Sequence, residues 1–283
     1  MKKIVGVDFN EVGKIYWFNP GPLTIHKGTK VVVETVRGLE LATAVTPIKE
    51  VEDEEVQYEL KDIIRVADPK DVKQHLENIE KAKESLSKVK NIINDYKLDM
   101  KLLGCEYTLD STKLLVYYNA EGRVDFRELV KALASEFKVR IELRQIGPRE
   151  GAKIIGAIGT CGREVCCKKH IREFDLVTMK MAKEQGMALS SSKIAGVCGK
   201  LMCCIGYESA AYDELRKRIP GVGDIVKTPT CEKCKVVNTD YLKEIVKTDN
   251  EGVIEVWQAK EVKKLKSNKQ KEEVKEEDLN LED

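Results

Sequence analysis

The apolar positions change period several times along the chain, and each change marks a new kind of element. Over residues 1–60, Ile4 to Phe9, Lys14 to Phe18, Lys30 to Val36 and Leu39 to Val45 are short β-branched or aromatic runs. They are punctuated by Glu11-Val12-Gly13, Asn19-Pro20-Gly21-Pro22 and Arg37-Gly38. Short apolar runs between such turn residues read as strands, here a small antiparallel barrel or meander.

The period then becomes helical. Asp68 is a good N-cap and Pro69 suits the first helical position. Val72, Leu76, Ile79, Ala82, Leu86, Val89, Ile93 and Tyr96 follow at gaps of three and four, close to the spacing of a coiled-coil seam. The pattern predicts one helix from 69 to about 98, either packed on its own domain or projecting as a partner-binding arm. Residues 101–146 read β-β-α-β: Leu103 to Leu109 and Leu114 to Tyr118 as strands, a helix started by Asp125 and Glu128 in a capping-box pattern, and an alternating strand from Val139 to Ile146. After a cysteine-rich stretch, a helix carrying Ala211, Leu215 and Ile219 runs to Pro220. Four short strands between Gly221 and Leu265 then suggest a small SH3-like barrel. Residues 267–283 hold three lysines against seven acids and only three aliphatic residues, the composition of a disordered acidic tail.

The expected fold class is therefore α+β, with small antiparallel β modules at both ends, a long helical segment, and a central β-β-α-β plus cysteine-rich region. The expected divisions are an N-terminal β module (1–66), a helical arm (67–100), an α/β cysteine-rich domain (101–220), an SH3-like module (221–266) and the tail (267–283).

Charge changes this picture only locally. The 283 residues carry 49 Lys and Arg against 48 Asp and Glu, so the whole molecule does not predict a polyanion partner. Segment 138–204 alone holds thirteen basic residues against six acidic ones. Such a patch suits RNA phosphates, an acidic protein, or the compensation of thiolate charge. No run approaches 18 apolar residues, and the N-terminal apolar run is too short for a signal peptide. A cytoplasmic protein without membrane insertion is expected.

Nine cysteines are then informative, because a reducing compartment favours metal or redox roles for clustered thiols. Six of them form a duplicated element. Cys161-Gly162-Arg163-Glu164-Val165-Cys166-Cys167 matches Cys198-Gly199-Lys200-Leu201-Met202-Cys203-Cys204, and the second copy begins 37 residues after the first. The two copies are expected to face one another and build one site. Iron–sulfur clusters take four thiolates, structural zinc also takes cysteine sets, and a metal-free structural or redox role is the third reading. Neighbouring side chains diverge, so the plausible quartet is Cys161 and Cys198 with one member of each Cys-Cys pair. Glycine after Cys161 and after Cys198 permits a positive-φ turn with amides free to donate to sulfur. A helix beginning near Leu201 would favour thiolate at Cys203 or Cys204. Arg163, Lys168, Lys169 and Lys200 supply compensating positive charge.

Weaker candidates lie nearby. Cys231-Glu232-Lys233-Cys234 is a C-x-x-C, read chiefly as a turn with two incidental thiols and secondarily as metal ligands. His170 reads as part of an exposed basic turn and secondarily as a ligand, while Cys105 reads as a small core residue. No nucleotide-binding glycine loop and no hydrolase nucleophile turn is present.

The cysteine element, with Lys180 to Gln185 and Ser192 to Glu208, resembles the bacterial YaaT (RicT) family of stage 0 sporulation proteins. The likeness extends through Val124 to Val130, Arg140 to Gly147, Gly13 to Phe18 and Val33 to Leu39, covering about residues 1–260. The resemblance implies a non-enzymatic regulator that joins two small helical partners, YlbF-like and YmcA-like, in a complex carrying 4Fe–4S clusters. It implies promotion of mRNA maturation by the membrane-anchored endonuclease RNase Y, affecting sporulation, competence and biofilm formation. Membrane contact would then come only through a partner. The implied cluster cysteines are Cys161, Cys166, Cys167, Cys198, Cys203 and Cys204. Cys231 and Cys234 stand where the family pattern leads one to expect a glycine-containing turn. The alternative function is a zinc-stabilised nucleic-acid-binding protein, and a thiol redox enzyme is the third class.

Overall fold

The computed structural model describes residues 2–9, 12–52, 59–122 and 124–266, so the acidic stretch 267–283 lies outside the described residues. The chain divides into two compact units. The first takes the residues up to Asp175 together with Ala195–Cys203, and the second takes Leu176–Ile194 with the residues from Cys204 on. The α+β class holds in both.

In the first unit the N-terminal sheet contains β1 (Lys2–Asp8), β2 (Tyr16–Phe18), β3 (Lys30–Glu34), β4 (Leu39–Ala44), β5 (Lys49–Val51) and β6 (Ile63–Val66). All its pairings are antiparallel, in the order β2-β1-β4-β3-β6, with β5 on the first residues of β1. A meander would keep chain order; here β1 lies beside β4 instead. β1 is buried continuously from Ile4 to Asp8 and takes partners on both edges. Val5, Val7, Phe18, Ile25, Val31, Val33, Ala42, Ala44 and Ile63 form the core beneath it.

The same unit holds a second sheet. It comprises β7 (Lys101–Tyr107), β8 (Lys113–Asn119) and β9 (Arg140–Gln145), in the order β7-β8-β9. β7 and β8 pair antiparallel, while β8 and β9 are parallel, joined across α2 (Arg127–Phe137). Alternation along β8 sends Leu114 and Val116 into a core with Leu129 and Leu133 of α2 and with the long helix α1 (Pro69–Asp95). Leu115 and Tyr117 go to the opposite face with Leu103 and Ile146. There α3 (Pro148–Ile155) packs, with a Cβ at Gly151 only 3.1 Å from Leu103. Burial on both faces explains why β8 reads as an unbroken apolar run.

α1 starts as its sequence predicts. The Asp68 carboxylate accepts the Asp71 N–H at 2.9 Å, and the Asp71 carboxylate accepts the Asp68 N–H at 2.9 Å. The Arg65 guanidinium also donates to Asp71, at 2.7 Å to Oδ1, tying β6 to the helix start. The helix lies against its own domain, but on a face rotated from the predicted seam. Asp71, Asn78, Ala82, Ser85, Val89 and Ile93 are buried, whereas Leu76, Ile79 and Tyr96 are exposed. Asn78 can be buried because its amide donates to the Thr108 carbonyl at 2.8 Å and its oxygen accepts from Ser111 at 2.7 Å. Ser85 is likewise within 3.0 Å of the Tyr107 hydroxyl. At α2 the capping box does not form. Phe126 takes the N-cap position without a side-chain bond, and Asp125, one residue too early, accepts instead from the Arg127 N–H at 3.1 Å.

The second unit contains α5 (Met179–Glu184), α6 (Ser191–Ile194), α7 (Cys203–Arg218, from its second residue) and a five-stranded antiparallel sheet. Glu184 pairs with Arg216 at 2.8 Å, and the Gln185 amide donates to the Ile205 carbonyl at 2.6 Å, fixing α5 to α7. The sheet holds β10 (Ile225–Lys227), β11 (Cys234–Asp240), β12 (Ile245–Asn250), β13 (Val253–Gln258) and β14 (Lys263–Lys266). Their order is β13-β12-β11-β10-β14, so that the last strand returns to the first. Its core is Ile219, Val226, Cys234, Val236 and Val246. Among the described residues no helix is long and apolar enough to cross a membrane.

The link between Asp71 and Arg65 has a consequence in acid. The hydrogen bond from Arg65 holds the Asp71 carboxyl at about 2, below its ordinary 3.8. A carboxyl more acidic when folded stabilises the fold above its unfolded value, and that contribution fades as pH falls through the folded one. In acid unfolding monitored by circular dichroism, Asp71→Asn is expected to flatten the loss of stability between about pH 4 and pH 2.

Candidate metal centre

The duplicated cysteine element folds as two copies of one hairpin. In the first, Ile158 bridges Glu164, the Gly159 N–H donates to the Arg163 carbonyl at 2.8 Å, and the Gly162 N–H donates to the Gly159 carbonyl at 2.9 Å. In the second, Ala195 bridges Leu201, the Gly196 N–H donates to the Lys200 carbonyl at 2.8 Å, and the Gly199 N–H donates to the Gly196 carbonyl at 2.9 Å. Every partner is displaced by the same 37 residues. Gly162 and Gly199 have φ of 77° and 79°, a region that L side chains disfavour, and each closes its turn directly after the tip cysteine.

Beyond each hairpin the chain turns into a helix whose first two residues are the cysteine pair. Cys166 and Cys167 begin α4 (Cys166–Lys169), and Cys203 and Cys204 begin α7. Helix starts are electropositive, but burial acts against negative sulfur at Cys167 and Cys203.

Within the first unit the two hairpins meet. The Thr160 hydroxyl donates to the Met202 sulfur at 3.8 Å, a contact between one turn and the other element. Burial pushes the Cys167 thiol up, and the charges of Cys203, Cys198 and Cys166 push it the same way. Burial also raises the Cys203 thiol, Arg149 opposes this, and Cys198 and Cys166 add to it. Cys167 and Cys203 thus lie near enough to Cys166, Cys198 and each other to feel their charge. Cys161 is exposed at the tip of its turn, and Cys204 is partly buried on α7 at the start of the second unit.

Soft thiolates from both copies suit a thiophilic metal or an iron–sulfur cluster, so the donor chemistry fits. The thiols are gathered but not closed into a ligand set. Among the described residues, no group of three or more His, Cys, Asp or Glu side chains is drawn together closely enough to hold a metal ion.

Other candidates fall elsewhere. Arg163 and Lys200 are exposed in the two turns, whereas Lys168 and Lys169 both lie 3.9 Å from Glu164, which offsets part of the basic patch. His170 is exposed at the C-cap of α4, where its N–H donates to the Cys166 carbonyl at 3.1 Å. Burial pushes Cys105 up to about 12, as befits a core thiol. Cys231 and Cys234 are bonded to each other. Their two-residue spacing in a tight turn brings the sulfurs within bonding reach.

Arg149, in the first turn of α3, belongs to the site although its sequence pattern gives no sign of it. Its guanidinium lies over the Phe174 ring at 5.1 Å and donates to the Leu201 carbonyl at 3.4 Å. Its buried Nε has no hydrogen-bond partner. It therefore places a positive charge beside Cys203 while holding the second hairpin to α3. The only sequence signal is Pro148 before it, which marks a helix start but not the direction of the next side chain.

Comparison with known proteins follows this geometry. The family described as PSP1 C-terminal conserved region matches residues 61–146, which run from the end of the N-terminal sheet through β9. The PSP1-like protein, third domain, matches residues 176–219, which include the second hairpin but not the first. The chain is 42% identical over 262 residues to stage 0 sporulation protein YaaT of Bacillus subtilis, covering 91% of this chain and 95% of that protein. An uncharacterized protein of Schizosaccharomyces pombe is 38% identical over 81 residues, 29% of this chain and 11% of that protein. Protein PSP1 of Saccharomyces cerevisiae is 47% identical over 47 residues, 17% of this chain and 6% of that protein. No solved structure matches the chain.

A Cβ at Gly199 would meet no heavy atom within 4 Å, so a substitution there acts through backbone strain alone. Gly199→Ala is expected to cost about 1–2 kcal/mol. In thermal unfolding it should lower the midpoint, whereas Gly122→Ala, where φ is not positive and the space is also open, should leave it nearly unchanged.

Proposed function

The chain belongs to the family of stage 0 sporulation protein YaaT, and from this premise we propose that it is a non-enzymatic regulatory subunit acting in developmental control. In this reading it works with YlbF-like and YmcA-like small helical proteins. Together they promote RNase Y-dependent mRNA processing, with effects on sporulation, competence and biofilm formation. The subunit is cytoplasmic and meets the membrane only through a partner.

One observation supports the reading above the others: two cysteine-bearing hairpins of identical hydrogen bonding meet at the contact of Thr160 with Met202. Cys166, Cys167, Cys198 and Cys203 would hold a 4Fe–4S cluster, with Cys161 and Cys204 as the remaining thiols of the family pattern. When bound, the cluster supplies thiolate–iron cross-links and one-electron chemistry. The chain's own residues do the rest. Gly162 and Gly199 aim the turns, the helix starts place the paired cysteines at the ends of the hairpins, and Arg149 sets a positive charge beside Cys203. Ile158 and Val197, exposed beside the two turns, give the site an apolar rim against which a helical partner can pack. Ordering of the hairpins on cofactor binding would complete that rim, which links iron status to assembly.

The test compares wild type with Cys198→Ala in cells. Partner co-purification and the processed fraction of RNase Y-dependent transcripts are measured, and the variant is expected to lose both several-fold. Unchanged assembly and processing would sink this reading. A wild-type protein that carries zinc and binds RNA with a steep salt dependence would favour the zinc-stabilised nucleic-acid-binding alternative.

A further inference from the structure

The disulfide of the second unit stands apart from the metal centre and does not depend on how that centre is read. Cys231 and Cys234 form the described bond, while the other seven cysteines are free of disulfides. The turn between β10 and β11 is built to hold them together. The Thr228 N–H donates to the Cys231 carbonyl at 2.8 Å, and the Cys231 N–H donates to the Thr228 hydroxyl oxygen at 3.1 Å. Lys227 pairs with Glu232 at 3.1 Å across the same turn. Backbone and side-chain bonds thus define the approach of the two cysteines apart from the sulfur–sulfur bond.

The two sulfurs sit in unlike surroundings. Cys234 is 1% exposed and packs with Ile219, Val226, Val236 and Val246, whereas Cys231 lies at the rim of that core and is partly exposed. An incoming thiol can therefore reach Cys231 and not Cys234. The Thr228 hydroxyl lies 3.8 Å from the Cys234 sulfur, within reach to donate to it when it leaves as thiolate. An accessible first cysteine, a buried second one and a donor at the leaving sulfur are what directional exchange requires. In a compartment kept reducing by thiols, such a bond is transient and responsive rather than a permanent staple.

We propose that Cys231 and Cys234 form a thiol–disulfide exchange site whose reductant is a dithiol and whose attacked sulfur is Cys231. A thiolate of the dithiol attacks the Cys231 sulfur and forms a mixed disulfide. The Cys231–Cys234 bond breaks, and its electron pair departs on the Cys234 sulfur, which takes up a proton. The second thiolate of the reductant then attacks the mixed disulfide and expels Cys231 as thiolate, which is protonated in turn. Two electrons and two protons pass to the protein, and the reductant leaves as its own disulfide. The reverse sequence, with an oxidised dithiol, restores the bond. Opening frees the partly exposed Cys231 sulfur, while the Thr228–Cys231 hydrogen bonds keep the turn and Cys234 stays seated in the core.

The test uses the full chain, folded, in mixtures of oxidised and reduced dithiothreitol, quenched by alkylation and digested with trypsin. Cleavage after Lys233 separates the two cysteines, so the bond appears as two joined peptides. The bond is expected to form in oxidising mixtures and open in reducing ones without denaturant. Failure to form, or opening only in denaturant, overturns the proposal. Two variants then test direction by mixed-disulfide formation with a small aromatic disulfide, mapped at these peptides. Cys234→Ser, which keeps Cys231, should react at least about tenfold faster than Cys231→Ser, which keeps Cys234. Equal rates would overturn the assignment of Cys231 as the attacked sulfur.

Discussion

The site depends on one backbone constraint: a four-residue turn that closes on glycine with positive φ. In each hairpin that glycine follows the tip cysteine and donates back to the glycine three residues earlier. This fixes where the tip cysteine sits and where the chain leaves the turn. Four residues later the chain enters a helix, and the paired cysteines occupy its first positions. The motif is therefore a complete structural unit, consisting of a hairpin with a thiol at its tip and two thiols at a helix start. Its duplication gives the first unit two such elements, which touch through Thr160 and Met202.

The second sheet of the first unit serves to place these hairpins. β8 is buried on both faces, so one face can hold α1 and α2 while the other holds α3. α3 leads directly into the first hairpin, and Arg149 at its start reaches the carbonyl of Leu201 in the second. One guanidinium, lying over the Phe174 ring, thus ties the second hairpin to α3 and sets a positive charge beside Cys203. Arg172 makes a comparable tie further on. It donates to the buried Asp8 and to the Gly13 carbonyl at 2.9 Å, anchoring the stretch after α4 to the N-terminal sheet.

Much of this was legible in the sequence where signals are local. The Asp68-Pro69 helix start, the order of β and α segments and the 37-residue repeat with its turning glycines depend on near neighbours, and all appear in the structure. Tertiary context decided the rest. α1 buries Asn78 and Ser85 in place of Leu76 and Ile79, because hydrogen bonds to the β7–β8 region make a polar face packable. Hydrophobic spacing cannot register that. The pairing of β1 with β4 depends on a nonlocal edge, and the failed cap at α2 turns on a one-residue shift in backbone conformation at Phe126. Arg149 carries no motif, since its role comes from where Phe174 and Leu201 lie. Cys231 and Cys234 were visible as a pair, but whether two such thiols take a metal or each other depends on the turn that holds them.

The central claim is that the two hairpins build one centre and not two. The most direct measurement is iron, sulfide and zinc content, with the visible absorbance spectrum, of the anaerobically purified full chain. It is compared with one variant lacking Cys166 and Cys167 and another lacking Cys203 and Cys204. The expected result is stoichiometric iron and sulfide in the wild type, with either variant losing the whole of it. Retention of about half the metal in each variant would contradict a shared centre, since independent sites would each survive loss of the other.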